Sequence, residues 1–313
     1  MKIHFDGVNF ASQTGPNTFA KRLAMKLLEM GHDVVEKGVD GDVSLVLIER
    51  TGQPLAKKVV QRLDGIWFKP GESHKNDPIQ RLYHESDAIV WQSSFDKEMS
   101  TKWFGRPFKA TTTAVIHNGI ELNPLKELTI PSLMKMRQDY AKMYVCSANW
   151  HPQKRLRDNV RLFNNLRKSE PSSCLIILGN NPDVMVADKD IFYAGPQPES
   201  AYMEVYSACD WMLHLAWADH CPNVVVEALS QGTPVVCSSV GGTKELVGEY
   251  GYVIQDEPYN FGPYDYESPP AINLEGISEL TSRHSLAYDG ITNLIDMNVT
   301  YKKYVEVFES IVA

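Results

Sequence analysis

The sequence lacks most of the signals that mark secreted, membrane-spanning or disulfide-linked proteins. Its cysteines number five, and no two of them have Cys-x-x-Cys spacing, so we expect buried free thiols in a reducing compartment. No apolar run approaches the ~20 residues that cross a bilayer, and no basic segment followed by a long apolar one opens the chain. These absences predict a cytoplasmic protein without a transmembrane segment, and they leave peripheral membrane contact open.

Basic charge is scarce as well. The 31 lysines and arginines are outnumbered by 39 aspartates and glutamates, for a net charge of −8, which argues against a nucleic-acid partner. The sequence contains neither a Gly-x-x-x-x-Gly-Lys-Ser/Thr phosphate loop nor a complete Gly-x-Gly-x-x-Gly motif, and its histidines lack metal-ligand spacing. We therefore predict no metal site and no permanently bound cofactor.

What the sequence does contain is an alternation of short apolar runs with amphipathic stretches, which occurs in both halves of the chain. Its 313 residues, 43% of them hydrophobic, suffice for two domains of roughly 150 residues each. Strands that alternate with helices favour parallel sheets with right-handed crossovers. We predict an α/β fold with an N-terminal Rossmann-like domain, a C-terminal Rossmann-like domain and a last helix that packs back on the N-terminal domain, over residues 1–125, 126–290 and 291–313.

Four local predictions follow from the same patterns. Residues 54–62 look helical, 65–68 look extended, 259–270 look like a loop, and 285–312 look helical with one or two breaks. Ligands of doubly wound α/β proteins lie beyond the carboxyl ends of the strands. We therefore expect the binding site in a cleft that faces the carboxyl ends of both sheets.

The most informative segment is HLAWADHCPNVVVEALSQGTPVVCSSVGGTKELV, which reads as strand, loop, helix, tight turn and strand. Its helix N-terminus offers the free backbone N–H groups of Asn223, Val224 and Val225, and such a terminus binds phosphate well. Asp219 precedes the helix and Glu227 lies inside it, so two carboxylates can accept hydrogen bonds from hydroxyls on either side of a diphosphate. The alternative is a helix N-cap and a helix-interior acid without a ligand.

This segment resembles the donor-binding signature of family 4 glycosyltransferases, which have the GT-B fold of two Rossmann-like domains facing across a cleft. Asp219 stands where the family has its first Glu, and His220 stands where a Gly is common. The positions that match the signature are Glu227, Ala228, Gly232, Pro234, Val235, Gly241, Gly242 and Glu245. The resemblance implies that Glu227 binds ribose hydroxyls and that Asp219 binds hydroxyls of the donor sugar.

Two further segments carry the resemblance. In VCSANWHPQKRL, Lys154 and Arg155 stand where the family clamps the diphosphate, whereas Ala148 replaces an arginine that is common there. A cation at this point would stabilise the charge of the leaving diphosphate, and the alternative is a pair of solvated basic residues. The opening loop, with Gly15, resembles the family's flexible loop that closes over the donor, although every Rossmann-like domain has such a loop.

The sequence indicates fewer residues for the acceptor side of the cleft. Asp64 follows a predicted helix, and the resemblance suggests it as an acceptor contact; a buried, turn-forming aspartate before Gly65 is the equal alternative. We predict a retaining, metal-independent enzyme that moves a hexose from a UDP- or GDP-sugar to a hydroxyl of a glycan or similar acceptor. A nucleotide-sugar epimerase with the same fold and a non-catalytic nucleotide-sugar-binding module are the alternatives.

Overall fold

The computed structural model describes residues 1–12, 14–280 and 288–313, and it contains two six-stranded sheets. Every described pair of neighbouring strands is parallel. The first sheet uses strands from the first 115 residues, and the second begins at residue 142. The predicted α/β architecture of two doubly wound halves is confirmed, while the bounds proposed for the domains stay a prediction.

The N-terminal sheet has the strand order β2-β1-β3-β4-β5-β6. Its strands are β1 Lys2–Asp6, β2 Asp33–Val35, β3 Val43–Leu47, β4 Lys58–Leu63, β5 Ala88–Trp91 and β6 Thr112–Val115. The helices of this half are α1 Gly15–Glu29, α2 Asp77–Glu85 and α3 Ser94–Phe104. In α1, Phe19, Leu23 and Leu27 are spaced four residues apart and are buried against the sheet, as the helical period requires.

The C-terminal sheet has the order β12-β11-β10-β7-β8-β9. Its strands are β7 Lys142–Ser147, β8 Ser173–Leu178, β9 Ile191–Gly195, β10 Trp211–His214, β11 Val235–Ser238 and β12 Tyr252–Ile254. Apart from Lys142 at the start of β7, every residue of the four central strands is buried, which explains their largely apolar sequences. The helices of this half are α4 Pro131–Asp139, α5 Leu156–Leu166, α6 Glu199–Ala208, α7 Asn223–Ser230 and α8 Thr243–Val247.

The chain returns to the N-terminal half through its last two helices, α9 Tyr288–Ile295 and α10 Met297–Val312. The backbone of Ile120 pairs with Ile295 and Met297 at this crossing, through N–H···O distances of 2.8 and 2.9 Å. Gly119 is required there, because a Cβ at this position would lie 2.5 Å from the Thr300 hydroxyl oxygen. Helix α10 then packs beside α1 in the core of the N-terminal half. Residues 285–287 of the predicted helical tail lie outside the described residues.

The prediction of a helix over residues 54–62 was wrong, because strand β4 begins at Lys58. This strand lies between β3 and β5, and its last four residues are buried. A strand buried on both faces shows no alternation of polar and apolar residues, so periodicity alone does not separate it from a buried helix. Residues 65–68 belong to no helix or strand, and their extended conformation stays a prediction. The correction to β4 matters, because Asp64 follows a strand and therefore stands at the carboxyl edge of the sheet.

The predicted loop at residues 259–270 contains no helix or strand, and it packs against the N-terminal half. Its aromatic side chains pack beside Phe68 and Trp103 of the N-terminal half. The Tyr264 amide donates to the Phe68 carbonyl oxygen at 2.9 Å, and the Trp103 indole donates to the Phe261 carbonyl oxygen at 2.7 Å. The two halves therefore share one aromatic cluster. None of the helices described combines the length and the apolar character that a bilayer crossing requires.

Candidate active site

A cleft of about 1760 Å³ runs between the two halves at the carboxyl ends of their strands. Drug-sized ligands fill pockets of roughly 300–1,000 Å³, so this cleft has room for two substrates at once. The C-terminal wall carries Lys154, Asp219 and Glu227, and the N-terminal wall carries Gly15 and Asp64. Five residues singled out from the sequence thus line one space.

Asp219 lies in the loop between β10 and α7, and its backbone is held by the Gly241-Gly242 turn. A Cβ at Gly241 would lie 2.7 Å from the Asp219 carbonyl oxygen, so the close approach requires glycine. The Lys154 ammonium donates to Asp219 Oδ2 across 2.6 Å, and His214 Nε2 lies 3.3 Å from the same oxygen. Burial would raise the pKa of this carboxyl, but Lys154 and His214 outweigh it and lower the pKa far below its usual value. Asp219 is therefore an ionised hydrogen-bond acceptor at neutral pH.

Lys154 ends a short turn, Pro152–Lys154, that is fastened to the loop carrying Asp219. The Trp217 amide donates to the Gln153 carbonyl oxygen, and the Gln153 side chain donates back to the Trp217 carbonyl oxygen, both at 2.9 Å. This reciprocal pair keeps the ammonium beside Asp219. Lys154 is thus preorganised at the end of the cleft where helix α7 begins.

Arg155 does not take the clamp position predicted for it. Its backbone is left-handed, with φ of 53°, and its guanidinium turns into the interior of the C-terminal half, with a side chain only 1% exposed. There it donates to Asp256 Oδ2 and to the Pro270 carbonyl oxygen, each at 2.5 Å. The predicted role is therefore corrected to a buried structural ion pair, because the carboxylate that neutralises Arg155 lies away from the cleft.

The N-terminus of α7 faces the cleft through Asn223 and Val224. Val225, predicted as a third donor, is fully buried, and its amide donates to the Pro222 carbonyl oxygen at 3.1 Å. The free amides are thus one fewer than predicted, because the first turn of the helix closes at Val225. The Asn223 side chain donates to the Gly15 carbonyl oxygen at 2.8 Å, which places the opening loop of the N-terminal half beside this helix.

Glu227 points into the cleft one turn further along α7, and its partner was missed by sequence reasoning. Arg22 of helix α1 donates to Glu227 Oε1 at 2.8 Å and to Glu199 Oε1 at 2.9 Å. Burial raises the pKa of Glu227 even though Arg22 opposes the effect. His214, at the carboxyl end of β10, was missed as well, although polar residues at strand ends of such sheets are a usable signal.

Asp64 occupies the N-terminal wall, where Arg62 holds it. The Arg62 guanidinium donates to Asp64 and also to Asn118 Oδ1 at 2.6 Å and to Gln92 Oε1 at 3.3 Å. Arg62 is fully buried and Asp64 nearly so. Asn118 donates in addition to Asn223 Oδ1 at 2.8 Å. Asp64 therefore faces the cleft as part of a polar network that also reaches the C-terminal wall.

Glu245, another position of the matched signature, lies at the domain boundary rather than in the cleft. Its carboxylate accepts from the amides of Ser94 and Phe95 at 2.8 and 2.9 Å and so caps helix α3 of the other half. His117 Nε2 lies 3.2 Å from the same carboxylate. Burial opposes the charge of Glu245, but these partners lower its pKa. This acid therefore holds the two halves together.

Comparison with solved structures defines the architecture. The structure of Anabaena Alr3699/HepE in complex with UDP and glucose aligns with 99% of this chain and 100% of that one, at 17% identity and a TM-score of 0.67. Sucrose-phosphate synthase from Thermosynechococcus elongatus aligns over 99% and 98%, at 12% identity and a TM-score of 0.70. A glycosyltransferase from Rickettsia africae aligns over 99% and 98%, at 14% identity and a TM-score of 0.66. The chain therefore has the GT-B fold, with two Rossmann-like domains facing across a cleft.

A comparison with protein families gives a match for one part of the chain. Residues 141–261 match the family described as glycosyl transferases group 1. The matched range contains Lys154, Asp219 and Glu227 and thus the whole C-terminal wall of the cleft. No match was found among curated protein sequences. Fold and family match together support sugar transfer as the class of activity.

Proposed function

We propose that this chain is a retaining glycosyltransferase that moves a hexose from a nucleoside-diphosphate sugar to a hydroxyl of a glycan or similar acceptor. The observation that carries the proposal is the line of groups along the C-terminal wall: Lys154, Asp219, the N-terminus of α7 and Glu227. A cation and free helix amides suit a diphosphate, and a carboxyl group on each side, from Asp219 and from Glu227, suits the hydroxyls of a sugar and a ribose.

In the proposed reaction, the bond between the sugar's anomeric carbon and the diphosphate oxygen breaks, and the acceptor oxygen forms its bond to that carbon on the same face. The acceptor proton passes to the departing phosphate oxygen, so configuration is retained and no separate base is needed. Lys154 and the N-terminus of α7 stabilise the charge that develops on the diphosphate. Asp219 accepts from the sugar hydroxyls and orients them, because its lowered pKa leaves it no proton to donate at neutral pH.

The donor proposed is a UDP- or GDP-sugar, used as a substrate without a permanently bound cofactor. The Anabaena structure holds UDP and glucose, which makes UDP-glucose the first donor to test. We propose metal-independent catalysis in which Lys154 neutralises the diphosphate. Within the described part of the chain, no group of three or more His, Cys, Asp or Glu residues has the geometry to hold a metal ion. The five cysteines are free and buried, which accords with the cytoplasmic location we propose.

The test is release of nucleoside diphosphate from UDP-glucose and GDP-mannose, measured with and without a panel of hydroxyl acceptors. Acceptor-dependent release, with product of unchanged anomeric configuration by NMR, is the expected result. Rearranged sugar without an acceptor would instead identify an epimerase. Donor binding without any turnover would identify a binding module, and inverted product would refute the retaining mechanism. The same assay on Lys154→Ala tests the proposed cation. Its matched control is Lys189→Ala, because Lys189 is an exposed lysine outside the cleft.

A further inference from the structure

Arg22 is the most unusual cation of the cleft, because it comes from the half of the molecule opposite to the carboxylates that it contacts. It lies on helix α1, on the same side as the buried Phe19 and Leu23, and its side chain is only 13% exposed. One terminal nitrogen, Nη2, serves both Glu227 and Glu199. The other, Nη1, is buried and has no hydrogen-bond partner among the described residues.

The two acidic partners of Arg22 differ in their surroundings. Glu199 is 67% exposed, and Glu227 is 12% exposed. Exposed ion pairs contribute little because water screens them, whereas the loss of one member of a buried pair leaves an uncompensated charge. The contact between Arg22 and Glu227 is therefore the stronger of the two.

Helices α1 and α7 make a second contact with each other. Asn223 at the N-terminus of α7 donates to the Gly15 carbonyl oxygen at the N-terminus of α1. Glu227 lies four residues after Asn223, and Arg22 lies seven residues after Gly15. The two helices therefore meet twice along the cleft: at their N-termini, where the diphosphate is proposed, and at Arg22 and Glu227, where the ribose is proposed.

We propose that Arg22 is a positioning residue for the nucleoside end of the donor, which it serves from the opposite domain by fixing Glu227 as a charged acceptor for the ribose hydroxyls. This inference rests on the proposed function. Arg22 contacts only Oε1 of Glu227, and no hydrogen bond between described residues uses Oε2. That oxygen remains for the ribose, and a ligand oxygen beside it would satisfy the buried Nη1.

The consequence is that nucleotide affinity depends on contact between the domains. Without Arg22, burial favours the protonated, neutral form of Glu227, since burial raises its pKa. A neutral carboxyl has one acceptor oxygen fewer and no counter-charge to hold its rotamer. Arg22 thus supplies to the donor wall a charge that the C-terminal domain does not provide at that point.

The test is calorimetric binding of UDP and 2′-deoxy-UDP, and of the corresponding guanosine pair, to the full chain. We expect the wild type to prefer the ribonucleotide about tenfold, the lower end of the value of a charged hydrogen bond. In Arg22→Ala, ribonucleotide affinity should fall about tenfold and the preference should disappear, while 2′-deoxynucleotide affinity changes much less. The matched control is Arg161→Ala, which breaks an exposed ion pair to Asp158 and should leave both affinities unchanged.

Three outcomes would overturn the inference. An unchanged ribonucleotide preference in Arg22→Ala would make Arg22 a merely structural contact, and tighter binding would make it a competitor for the ribose site. Both would leave the proposed function intact, whereas a wild-type protein that binds neither UDP nor GDP would refute both proposals. Should Arg22→Ala not fold, Arg22→Gln keeps a polar but shorter side chain without the charge, and the ratio of ribonucleotide to 2′-deoxynucleotide affinity decides in the same way. Glu199→Gln should leave the ratio unchanged, because the exposed partner is dispensable.

Discussion

The two walls of the cleft are built in different ways. On the C-terminal wall, His214, Asp219, Asn223 and Glu227 follow one another within fourteen residues of sequence, on one strand end, one loop and one helix. On the N-terminal wall, Arg62, Gln92 and Asn118 come from segments separated by about thirty residues each and meet only because β4 and β5 are neighbours. Apart from Lys154, which lies 65 residues before Asp219, the wall that we propose for the donor is thus local in sequence, whereas the wall that we propose for the acceptor is assembled by the tertiary fold.

The largest effect that separates the walls is expected at Lys154. Lys154→Ala removes the cation proposed to stabilise the leaving diphosphate, and kcat should fall about 100- to 1,000-fold, as for loss of one group that stabilises developing charge. Steady-state kinetics with UDP-glucose and the best acceptor measures this, beside Lys189→Ala. A change confined to the acceptor KM, with kcat unchanged, would contradict the proposed contact between Lys154 and the diphosphate.

Arg155, its neighbour in sequence, should affect stability instead of chemistry. Arg155→Ala leaves Asp256 buried without its ion-pair partner, which should lower the free energy of unfolding by about 3 kcal/mol or more. Urea denaturation measures the loss. The kcat of the folded fraction should stay within about twofold of the wild-type value, which is 0.4 kcal/mol of activation free energy at ~1.4 kcal/mol per factor of ten. A larger fall in kcat at unchanged stability would restore the clamp originally predicted for Arg155.

On the N-terminal wall, Asp64→Asn should raise the acceptor KM about tenfold, the effect of replacing a charged hydrogen bond by a neutral one. Donor affinity, measured by calorimetry with UDP, should not change, because we propose that Asp64, as the resemblance suggests, contacts the acceptor. Asp139→Asn, at an exposed pair with Lys135, is the control. Equal losses for donor and acceptor would contradict the division of labour between the walls.

The smallest effect is a pH dependence that contrasts two carboxyls of the donor wall. The pKa of Asp219 is lowered, so its charge contributes stability that is present above its unfolded value of 3.8 and is lost as pH falls. The pKa of Glu227 is raised, so the folded state binds the extra proton and stability decreases as pH rises from its unfolded value of 4.5 to the raised one.

Urea denaturation between about pH 3 and pH 7, which spans the usual carboxyl range, measures both slopes. Asp219→Asn should flatten the acid side of the profile, and Glu227→Gln should flatten the region above it. Nucleotide affinity should fall in the same region as Glu227 becomes protonated. Identical profiles for the two variants would show that their surroundings do not differ as described.

The residues of the C-terminal wall were also easier to predict from the sequence than those of the N-terminal wall. Asp219 and Glu227 could be singled out because they lie on either side of a predicted helix N-terminus, and Lys154 because its segment resembles the one that clamps the diphosphate in family 4 glycosyltransferases. Arg155 was misplaced because its left-handed backbone, with φ of 53°, turns the side chain away from that of Lys154. Val225 was misplaced because the helix closed its first turn one residue early. Local sequence rules predict roughly where a helix or strand begins, but a shift of one residue changes the direction in which each side chain points.

Arg22 shows the limit most clearly. In sequence it is one more cation in a helix whose buried stripe is Phe19, Leu23 and Leu27, and nothing local indicates a partner 205 residues away. Strand β4 could not be distinguished from a helix for a related reason, because its burial on both faces comes from neighbouring strands.

By itself, the sequence determined two doubly wound α/β halves and indicated three residues that line the C-terminal wall of the cleft, Lys154, Asp219 and Glu227. Hydrophobic period, helix termini and glycines at close approaches act over a few residues, and that is the range over which sequence rules hold. Only the tertiary structure decided which helix of the opposite half meets Glu227, which buried arginine holds Asp64, and which acid caps α3. Those contacts depend on how the two sheets face each other, and burial across that boundary sets the charge state of the carboxyls.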